Sequence, residues 1–292
     1  MQTILVTGAT GNVGQATLQT LASKHDPNQH RLRAGVRKLE GAHSSLPAAA
    51  TPVLFDFEDP ATFPQALQNV DTLFLLRPPQ LSDVKKYFAP LVETAKRQGV
   101  KHVVFLSVQG VEKSSVIPHH KIENFIAGCG VPYTFLRPGY FMQNLTTTLQ
   151  QDLVERKEIF LPAGEAKFNF VDVQDIGSVA AEVLLHPEQH QNKAYDLTGP
   201  TNYTFREVAA VLSDELQQPI RYTSPNPLRF YLQKRRQGIP APMVLVMIML
   251  HFLPRFQAAP PVSDSIKQIS GFSPTGFRTF VQRERKELLG GK

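Results

Sequence analysis

The chain has 292 residues, of which 42% are hydrophobic and 19% charged, a balance that is typical of a globular protein and excludes an intrinsically disordered one. Its length suits one large α/β domain, or a main domain with a smaller partner. The formal net charge of +6 favours anionic ligands, but no block of lysine and arginine interleaved with aromatic residues accompanies it, so we expect a small-molecule substrate and no nucleic acid.

Cysteine content and hydropathy narrow the class further. The one cysteine, Cys129, cannot form an internal disulfide, and no cluster of cysteine and histidine has metal-ligand spacing, so we expect no metal. The most apolar run, residues 244–253, is about half the ~20 residues of a membrane span and predicts a buried or cleft-covering helix. Met1 leads directly into an apolar strand without a signal-peptide pattern. We therefore expect no membrane span and a cytoplasmic location.

Strand and helix patterns alternate through the first half of the chain. In chain order they predict strand 3–7, helix 13–23, strand 31–36, strand 51–55, helix 60–68, strand 71–76, helix 83–98, strand 100–107, helix 119–128 and strand 133–137. Short apolar runs separated by helices predict βαβ units and a parallel sheet that is buried on both faces.

The second half has a looser pattern. It predicts a strand at 168–173, a helix at 173–185 and a strand at 194–197. Thr204 is followed three residues later by Glu207, which is the spacing of a capping box at the start of another helix. A proline-rich connection, residues 219–227, leads into a final helical region. This half therefore predicts a smaller lobe rather than an independent domain.

A glycine-rich loop, GATGNVG at residues 8–14, joins the first predicted strand to the first predicted helix. Gly8 allows a tight turn, Gly11 lets the backbone approach a pyrophosphate, and Gly14 lets the helix pack closely on the sheet. The helix N-terminus then offers unpaired N–H groups to the phosphates. A plain βα turn is the alternative. The loop predicts a dinucleotide site formed by Gly8, Thr10, Gly11, Asn12 and Val13.

The end of the second predicted strand indicates which dinucleotide binds. It reads GVRK at residues 35–38, with no acidic residue before Glu40. NAD sites present a carboxylate to the ribose 2′-hydroxyl here, whereas NADP sites present a cation to the 2′-phosphate. Arg37 can hold a phosphate bidentately and Lys38 adds a point charge. We therefore expect NADP(H) to be favoured over NAD(H), with two solvated surface cations as the alternative.

The chain as a whole resembles the NmrA-like family of atypical short-chain dehydrogenases/reductases, including its NADPH-dependent quinone oxidoreductase members. The likeness covers nearly the whole sequence and rests on VTGATGNVG, AGVRK, VKHVVFLSVQG, VPYTFLRPGYFMQN, FNFVDVQDIG, YDLTGP and ISGFSPTGFRTFV. It implies a Rossmann-type α/β fold, a doubly wound parallel sheet, with an NAD(P)-binding domain at residues 1–145. A smaller substrate-binding α/β lobe would follow at residues 146–292, and the two would form a single unit.

The resemblance also implies further contacts with the cofactor. One pair of residues would border the adenine, a second group the adenosine ribose and diphosphate, a third would lie beneath the nicotinamide, and a fourth would close over it. In that order the residues are Asp56 and Phe57; Leu76, Arg77 and Pro78; Ser107, Val108 and Gln109; and Pro138, Tyr140 and Phe141. Ordinary packing at strand ends is the alternative for each of them.

Catalysis is where the chain departs from typical short-chain dehydrogenases. These use a Tyr-x-x-x-Lys pair, in which the lysine lowers the tyrosine pKa, and no such pair stands in a suitable place here. Tyr133 and Arg137 have the spacing but would lie ~13 Å apart on a strand. Phenylcoumaran and pinoresinol reductases carry a lysine where this chain has His119. We predict His119 as the catalytic residue, titrating near neutrality and oriented by Glu123 one helical turn away; a helix-start histidine without chemistry is the alternative.

Three functions remain open. The first is an NADPH-dependent oxidoreductase that transfers a hydride to a small apolar or aromatic acceptor such as a quinone. The second is a non-catalytic redox sensor that binds NADP(H) and signals through a regulatory protein partner. The third is a sugar-nucleotide epimerase or dehydratase, which the missing Tyr-x-x-x-Lys pair disfavours. The sequence leaves open whether the protein forms a homodimer.

Overall fold

A computed structural model describes residues 1–113, 115 and 117–291. Numbered along the chain, the strands are β1 (Gln2–Val6), β2 (His30–Val36), β3 (Ala50–Leu54), β4 (Thr72–Leu75), β5 (His102–Leu106), β6 (Tyr133–Pro138), β7 (Tyr140–Phe141), β8 (Glu158–Phe160), β9 (Lys167–Val171), β10 (Lys193–Leu197), β11 (Asn202–Thr204) and β12 (Arg221–Thr223). The helices are α1 (Asn12–Lys24), α2 (Phe63–Leu67), α3 (Ala89–Arg97), α4 (Pro118–Gly128), α5 (Gln150–Arg156), α6 (Val173–Leu185), α7 (Phe205–Leu216), α8 (Pro227–Arg236), α9 (Ala241–Phe252), α10 (Ser265–Ser270), α11 (Phe277–Arg283) and α12 (Arg285–Leu288).

The chain divides into two compact units whose segments interleave. The first contains Met1–Pro138, Val173–Leu197 and Asp264–Ser273, and the second contains Gly139–Asp172, Thr198–Ser263 and Pro274–Lys292. This division differs from the single boundary expected after residue 145. The chain returns to the first unit because α6 packs against α1, and because β10 extends the sheet that β1 begins.

The first unit is built on a seven-stranded sheet in the order β10-β6-β5-β4-β1-β2-β3, with every neighbouring pair parallel. The run β3-β2-β1-β4-β5-β6 is the strand order of a doubly wound Rossmann sheet, so the predicted fold class is confirmed. The middle strands are apolar and fully buried, as a parallel sheet covered on both faces requires; examples are Leu5, Phe74 and Phe105.

Helix α1 is held against α6 at very short range. A Cβ atom added to Gly177 of α6 would lie 2.7 Å from the carbonyl carbon of Ala16 on α1. Only a glycine therefore allows the two backbones to approach so closely. The helix that follows the glycine-rich loop thus rests on a segment more than 150 residues further along the chain.

The second unit has a separate core beneath two small sheets, β11-β9-β7 and β12-β8. Its largest fully buried side chains include Phe160, Phe170, Phe205 and Phe277. The capping box predicted at Thr204 is present, with Glu207 accepting a hydrogen bond from the Thr204 N–H group. The proline-rich connection contains β12, which pairs in parallel with β8 and which the sequence did not predict.

In the second unit, the apolar helix α9 is mostly exposed, whereas a charged side chain of α8 is buried. Helix α9 contains residues 244–252 of the apolar run, but only Val244, Met247 and His251 are buried in it. Of the two expectations for this run, a buried helix is wrong for most of its surface, and a cleft-covering helix stays a prediction. On the preceding helix, α8, the ammonium of Lys234 is buried and hydrogen-bonded to the Asp152 carboxylate of α5. This ion pair lies in the interior of the unit.

Candidate cofactor site

The glycine-rich loop adopts the geometry that its three glycines predict. Gly8 has a φ of +57°, the left-handed conformation that favours glycine. The Gly11 N–H group donates to the Gly8 carbonyl at 3.0 Å and closes the turn. A Cβ atom on Gly14 would lie 2.3 Å from the Gly8 oxygen, so the first turn of α1 is packed directly on the loop. The backbone therefore runs tightly from β1 into α1.

The N-terminus of α1 is left open by this turn. Gly11 is the capping residue; no side chain of the described residues caps the helix, and its first turn contains no carboxylate. Thr10, Gly11 and Asn12 are exposed, whereas the side chain of Val13 is buried. Unpaired N–H groups and the positive end of the helix dipole at an exposed glycine turn form an anion site that fits a diphosphate.

The parallel sheet brings most of the predicted cofactor residues to one edge. Because the strands run in the same direction, the segments that follow them emerge together at their carboxyl ends, where ligands of such sheets bind. These segments are Gly8–Val13 after β1, Arg37 and Lys38 after β2, Asp56 and Phe57 after β3, Leu76–Pro78 after β4, Ser107–Gln109 after β5, and Pro138 at the end of β6. Tyr140 and Phe141 lie instead on β7 of the second unit.

The two cations after β2 are available to an anion. Arg37 and Lys38 are both exposed, and neither forms an ion pair with any residue that the structure describes. No carboxylate side chain lies between the end of β2 at Val36 and Glu40. This position therefore fits a ribose 2′-phosphate better than a 2′-hydroxyl.

We predict that the protein binds NADPH at least tenfold more tightly than NADH, and that Arg37→Ala removes most of this difference. Tenfold corresponds to ~1.4 kcal/mol, which is within the range of one charge-assisted contact. Isothermal titration calorimetry with both cofactors measures it. Arg31→Ala, which removes an exposed arginine near the opposite end of β2, is the matched control and should leave both affinities unchanged. Equal affinities in the wild type would contradict the prediction.

Asp56 and Phe57, the two residues expected to border the adenine, form contacts within the protein itself. The ring of Phe57 is buried, 5.0 Å from the ring of Phe55 and 5.5 Å from that of Phe88 between centroids. The carboxylate of Asp56 accepts a hydrogen bond from the Glu58 N–H group at 2.9 Å. The Phe57 ring therefore belongs to the core, and the Asp56 side chain stabilises the turn.

Arg77 shapes the loop that follows β4. Its guanidinium donates to the carbonyl oxygens of Pro78, Pro79 and Leu81 at 3.1, 3.0 and 2.8 Å. Its Nε donates to Nε2 of His119 at 3.3 Å, and burial lowers the pKa of Arg77. Most of its donors are thus engaged by this loop and by His119, and its contact with a cofactor phosphate stays a prediction.

His119 lies at the start of α4, with its ring near Phe105 and hydrogen-bonded to Arg77. Since Nε2 accepts this bond, the ring proton is placed on Nδ1. Burial, and next the Arg77 charge, lower the pKa of His119 to about 3. The imidazole is therefore neutral at physiological pH, and the expectation that it titrates near neutrality is wrong.

The expected orienting partner of His119 is also wrong. Glu123 is one helical turn away, but both of its oxygens accept hydrogen bonds from Arg137 of β6, at 3.0 and 2.6 Å. Arg77 orients the imidazole instead. Nothing in the local sequence signals this contact, because Arg77 stands 42 positions before His119.

The end of β5 holds a buried hydroxyl without a partner. Ser107 is buried, its backbone N–H group donates to Leu136 at 2.7 Å, and its Oγ has no hydrogen-bond partner among the described residues. Unpaired buried hydroxyls are rare and are satisfied by a bound molecule in many sites. The orphaned Ser107 hydroxyl, at the edge of the sheet predicted to bind a dinucleotide, therefore fits a polar group of a cofactor.

Two residues after Ser107, Gln109 is paired with a carboxylate that was not predicted to belong to the site, that of Asp196. The Gln109 side chain donates to Asp196 of β10 at 3.3 Å, and burial raises the pKa of Asp196. Asp196 belongs to the YDLTGP segment, but its pairing with Gln109 depends on β10 lying next to β6. That sheet position could have been found only from long-range strand pairing.

Tyr140 is engaged inside the second unit. Its hydroxyl donates to Nε2 of His251 at 3.1 Å, because His251 donates from Nδ1 to the Met247 carbonyl at 2.6 Å. Burial raises the pKa of Tyr140 and lowers that of His251 to about 4. Burial therefore keeps the phenol protonated and the imidazole neutral. Phe141, next on β7, is partly buried.

Membrane-spanning helices and metal-binding clusters are both absent from the described part of the chain. None of its helices combines the length and apolar character that crossing a membrane requires. No three of its histidine, cysteine, aspartate or glutamate side chains come together as a metal site.

The strand order, the glycine turn with an uncapped α1, and the cations after β2 are those of a Rossmann-type protein that binds a dinucleotide, and they fit a site at the carboxyl edge of the sheet. Residues 1–273 match the NmrA-like family, and the chain belongs to that family. This family is the one that the sequence segments resemble.

Individual relatives are similar over most of their length. The NAD(P)H azoreductase of Xenophilus azovorans is 31% identical, with 96% of each chain covered. Quinone oxidoreductase 2 of Escherichia coli is 26% identical over 81% of this chain and 82% of its own. The crystal structure of Citrobacter sp. triphenylmethane reductase complexed with NADP(H) superposes with a TM-score of 0.83, at 25% identity over 96% of this chain and 99% of that one.

Proposed function

We propose that this protein takes a hydride from NADPH and delivers it to a small apolar or aromatic acceptor such as a quinone. The coarser description, an NAD(P)H-dependent oxidoreductase, is the one that the named relatives share. The observation that carries the cofactor part is the uncapped, exposed N-terminus of α1 together with two unpaired cations after β2. The names of the relatives support the acceptor part, because azo, quinone and triphenylmethane compounds all have conjugated rings.

The cofactor supplies the hydride, so the chain has to bind, orient and shield. The N–H groups at the start of α1 would hold the diphosphate, and Arg37 and Lys38 would hold the 2′-phosphate. The Ser107 hydroxyl, which has no partner among the described residues, would hydrogen-bond a polar group of the cofactor. His119 offers a neutral Nδ1–H group, held in place by Arg77. A quinone suits this set, since the oxygens of its reduced form can take their protons from water.

The test is NADPH oxidation followed by absorbance, with a panel of quinones, one azo dye and one triphenylmethane dye as acceptors. We expect steady turnover with at least one quinone. Turnover with a dye alone would keep the oxidoreductase and change the acceptor class. Tight NADPH binding without oxidation by any acceptor would contradict the proposal in favour of the redox sensor, which the absent Tyr-x-x-x-Lys pair and the neutral His119 also suit.

We predict that His119→Ala lowers kcat for the best acceptor by about tenfold, the effect of one lost hydrogen bond of ~1.4 kcal/mol. The pH profile between pH 5 and 8 should keep its shape in this variant, because a group with a pKa of about 3 is already neutral throughout that range. Initial rates over pH measure both effects.

The matched control for His119 is the neighbouring histidine of α4. His120 interacts through Nδ1 with the Val111 carbonyl at 3.2 Å, so His120→Ala should leave kcat unchanged. An inflection near pH 6.5 that is present in the wild type and lost in His119→Ala would overturn the neutral assignment. Such an inflection would mean that His119 is protonated below pH 6.5 and acts as a general acid.

A further inference from the structure

The positive charge of the protein is concentrated in one segment. Residues 216–263, here called the cationic segment, contain six arginine and lysine residues and no aspartate or glutamate. The rest of the chain has 25 cationic and 25 acidic residues, so the entire formal net charge of +6 belongs to this segment. It includes β12, α8 and α9 and lies within the second unit.

Five of these six cations face solvent. Lys234 is buried with Asp152, but Arg221, Arg229, Arg235, Arg236 and Arg255 are exposed. None of the five has a carboxylate partner among the described residues. Their charge is therefore not neutralised by the protein itself.

The same segment exposes an unusually apolar helix. α9 has a single ionisable side chain, His251, and that side chain is buried. Its solvent face is aliphatic, with Leu245 58% and Leu250 52% exposed. Leu228 on α8, which packs beside α9, and Phe256 just beyond it are 68% and 75% exposed. Exposed apolar side chains concentrated on one helix and its neighbours mark a site of interaction.

We propose that the cationic segment is a membrane-docking surface, in which α9 lies in the interface of an anionic bilayer and the exposed arginines contact lipid headgroups. A 12-residue helix is ~18 Å long, which is too short to span a bilayer but sufficient to lie in its surface. Arg229, Arg235 and Arg236 lie on α8, which packs beside α9. Unneutralised arginines are attracted by anionic lipid, and their long side chains can reach headgroups while their stems remain on apolar surface.

Charge complementarity favours this partner over a second copy of the chain. In a two-fold dimer the same patch faces itself, which would bring the exposed arginines of both copies together without any carboxylate of the segment to pair them. The chemistry of α9 favours a bilayer over an acidic protein. Protein interfaces typically have about one hydrogen bond per 100–200 Å², whereas the exposed side chains of α9 offer no donor.

Flotation of the whole protein with vesicles tests the proposal. Vesicles of phosphatidylcholine containing phosphatidylglycerol should carry the protein upward, vesicles of phosphatidylcholine alone should not, and high salt should weaken the binding. Leu245→Gln combined with Leu250→Gln should reduce the bound fraction at least about tenfold. Arg229→Gln combined with Arg236→Gln should do the same on anionic vesicles. All four side chains are exposed, so both variants should keep the wild-type circular dichroism spectrum.

Matched controls lie in the first unit. Leu39→Gln changes an apolar side chain that is 49% exposed, and Lys85→Gln with Lys121→Gln removes two exposed cations; each should leave vesicle binding unchanged. Equal binding to neutral and anionic vesicles, no binding to either, or unchanged binding of the two cationic-segment variants would overturn the proposal. A dimer in sedimentation velocity that the leucine variant dissociates, without vesicle binding, would assign the surface to a second copy.

Discussion

Gly14→Ala is expected to weaken NADPH binding more than 100-fold, or ~2.7 kcal/mol. The new Cβ would stand 2.3 Å from the Gly8 oxygen and 2.9 Å from the Ala9 Cα. Both are backbone atoms, so no side-chain rotation relieves the clash, and α1 must move away from the loop. The turn that presents the N–H groups to the diphosphate would then be lost. Calorimetry with NADPH measures the affinity.

The same substitution should lower the free energy of unfolding by ~1–3 kcal/mol, as overpacking does elsewhere. Gly128→Ala is the matched control, because this glycine ends α4 with an ordinary φ and no described residue lies within 4 Å of its added Cβ. It should change neither NADPH affinity nor stability by a comparable amount. A folded Gly14→Ala variant with wild-type affinity would show that the loop does not bind the cofactor.

Lys234→Met is expected to lower the free energy of unfolding by ~3–5 kcal/mol, the largest stability effect that the structure implies. The Asp152 carboxylate is 2% exposed and would lose its buried ammonium. What remains is the Gln237 amide, which donates at 2.8 Å, and the Arg156 guanidinium at 3.9 Å. A buried carboxylate that loses its close cationic partner costs far more stability than the net contribution of the intact pair. Urea unfolding measures the change.

Two further variants separate a buried ion pair from an exposed one. Asp152→Asn combined with Lys234→Met should recover much of the lost stability, because it removes the stranded charge. Lys24→Met breaks the partly exposed contact with Glu182 at 3.5 Å and should cost less than ~1 kcal/mol. Equal losses for Lys24→Met and Lys234→Met would contradict the role given to burial.

The fold was predictable from the sequence where local pattern determines structure. Buried parallel strands are short apolar runs, so β1 to β6 were predicted within a few residues, as was α6 from its helical spacing. β12 was not, since three residues between prolines carry no periodicity and the strand exists only because β8 lies beside it. The return of α6 and β10 to the first unit depends on contacts with α1 and β6, which no local pattern encodes.

The candidate site divides in the same way. The glycine turn is a property of seven consecutive residues, and the cations after β2 follow at once from the strand end. The state of His119 is not local: its pKa depends on burial and on Arg77, which reaches it from the loop after β4. Helical spacing pointed to Glu123, but that carboxylate pairs with Arg137 because β6 lies within reach of α4.

The return of the chain to its first unit has a consequence for synthesis on the ribosome. At ~5–20 residues per second, about 3–12 s pass between the emergence of Pro138 and that of Leu197. During this interval β6 is an edge strand with an unpaired row of backbone N–H and carbonyl groups, which is a template for pairing with another nascent chain. The α6 surface that supports α1 is also missing for most of that time. Chaperone protection of the nascent chain would therefore matter most in this window, before β10 covers the edge of the sheet.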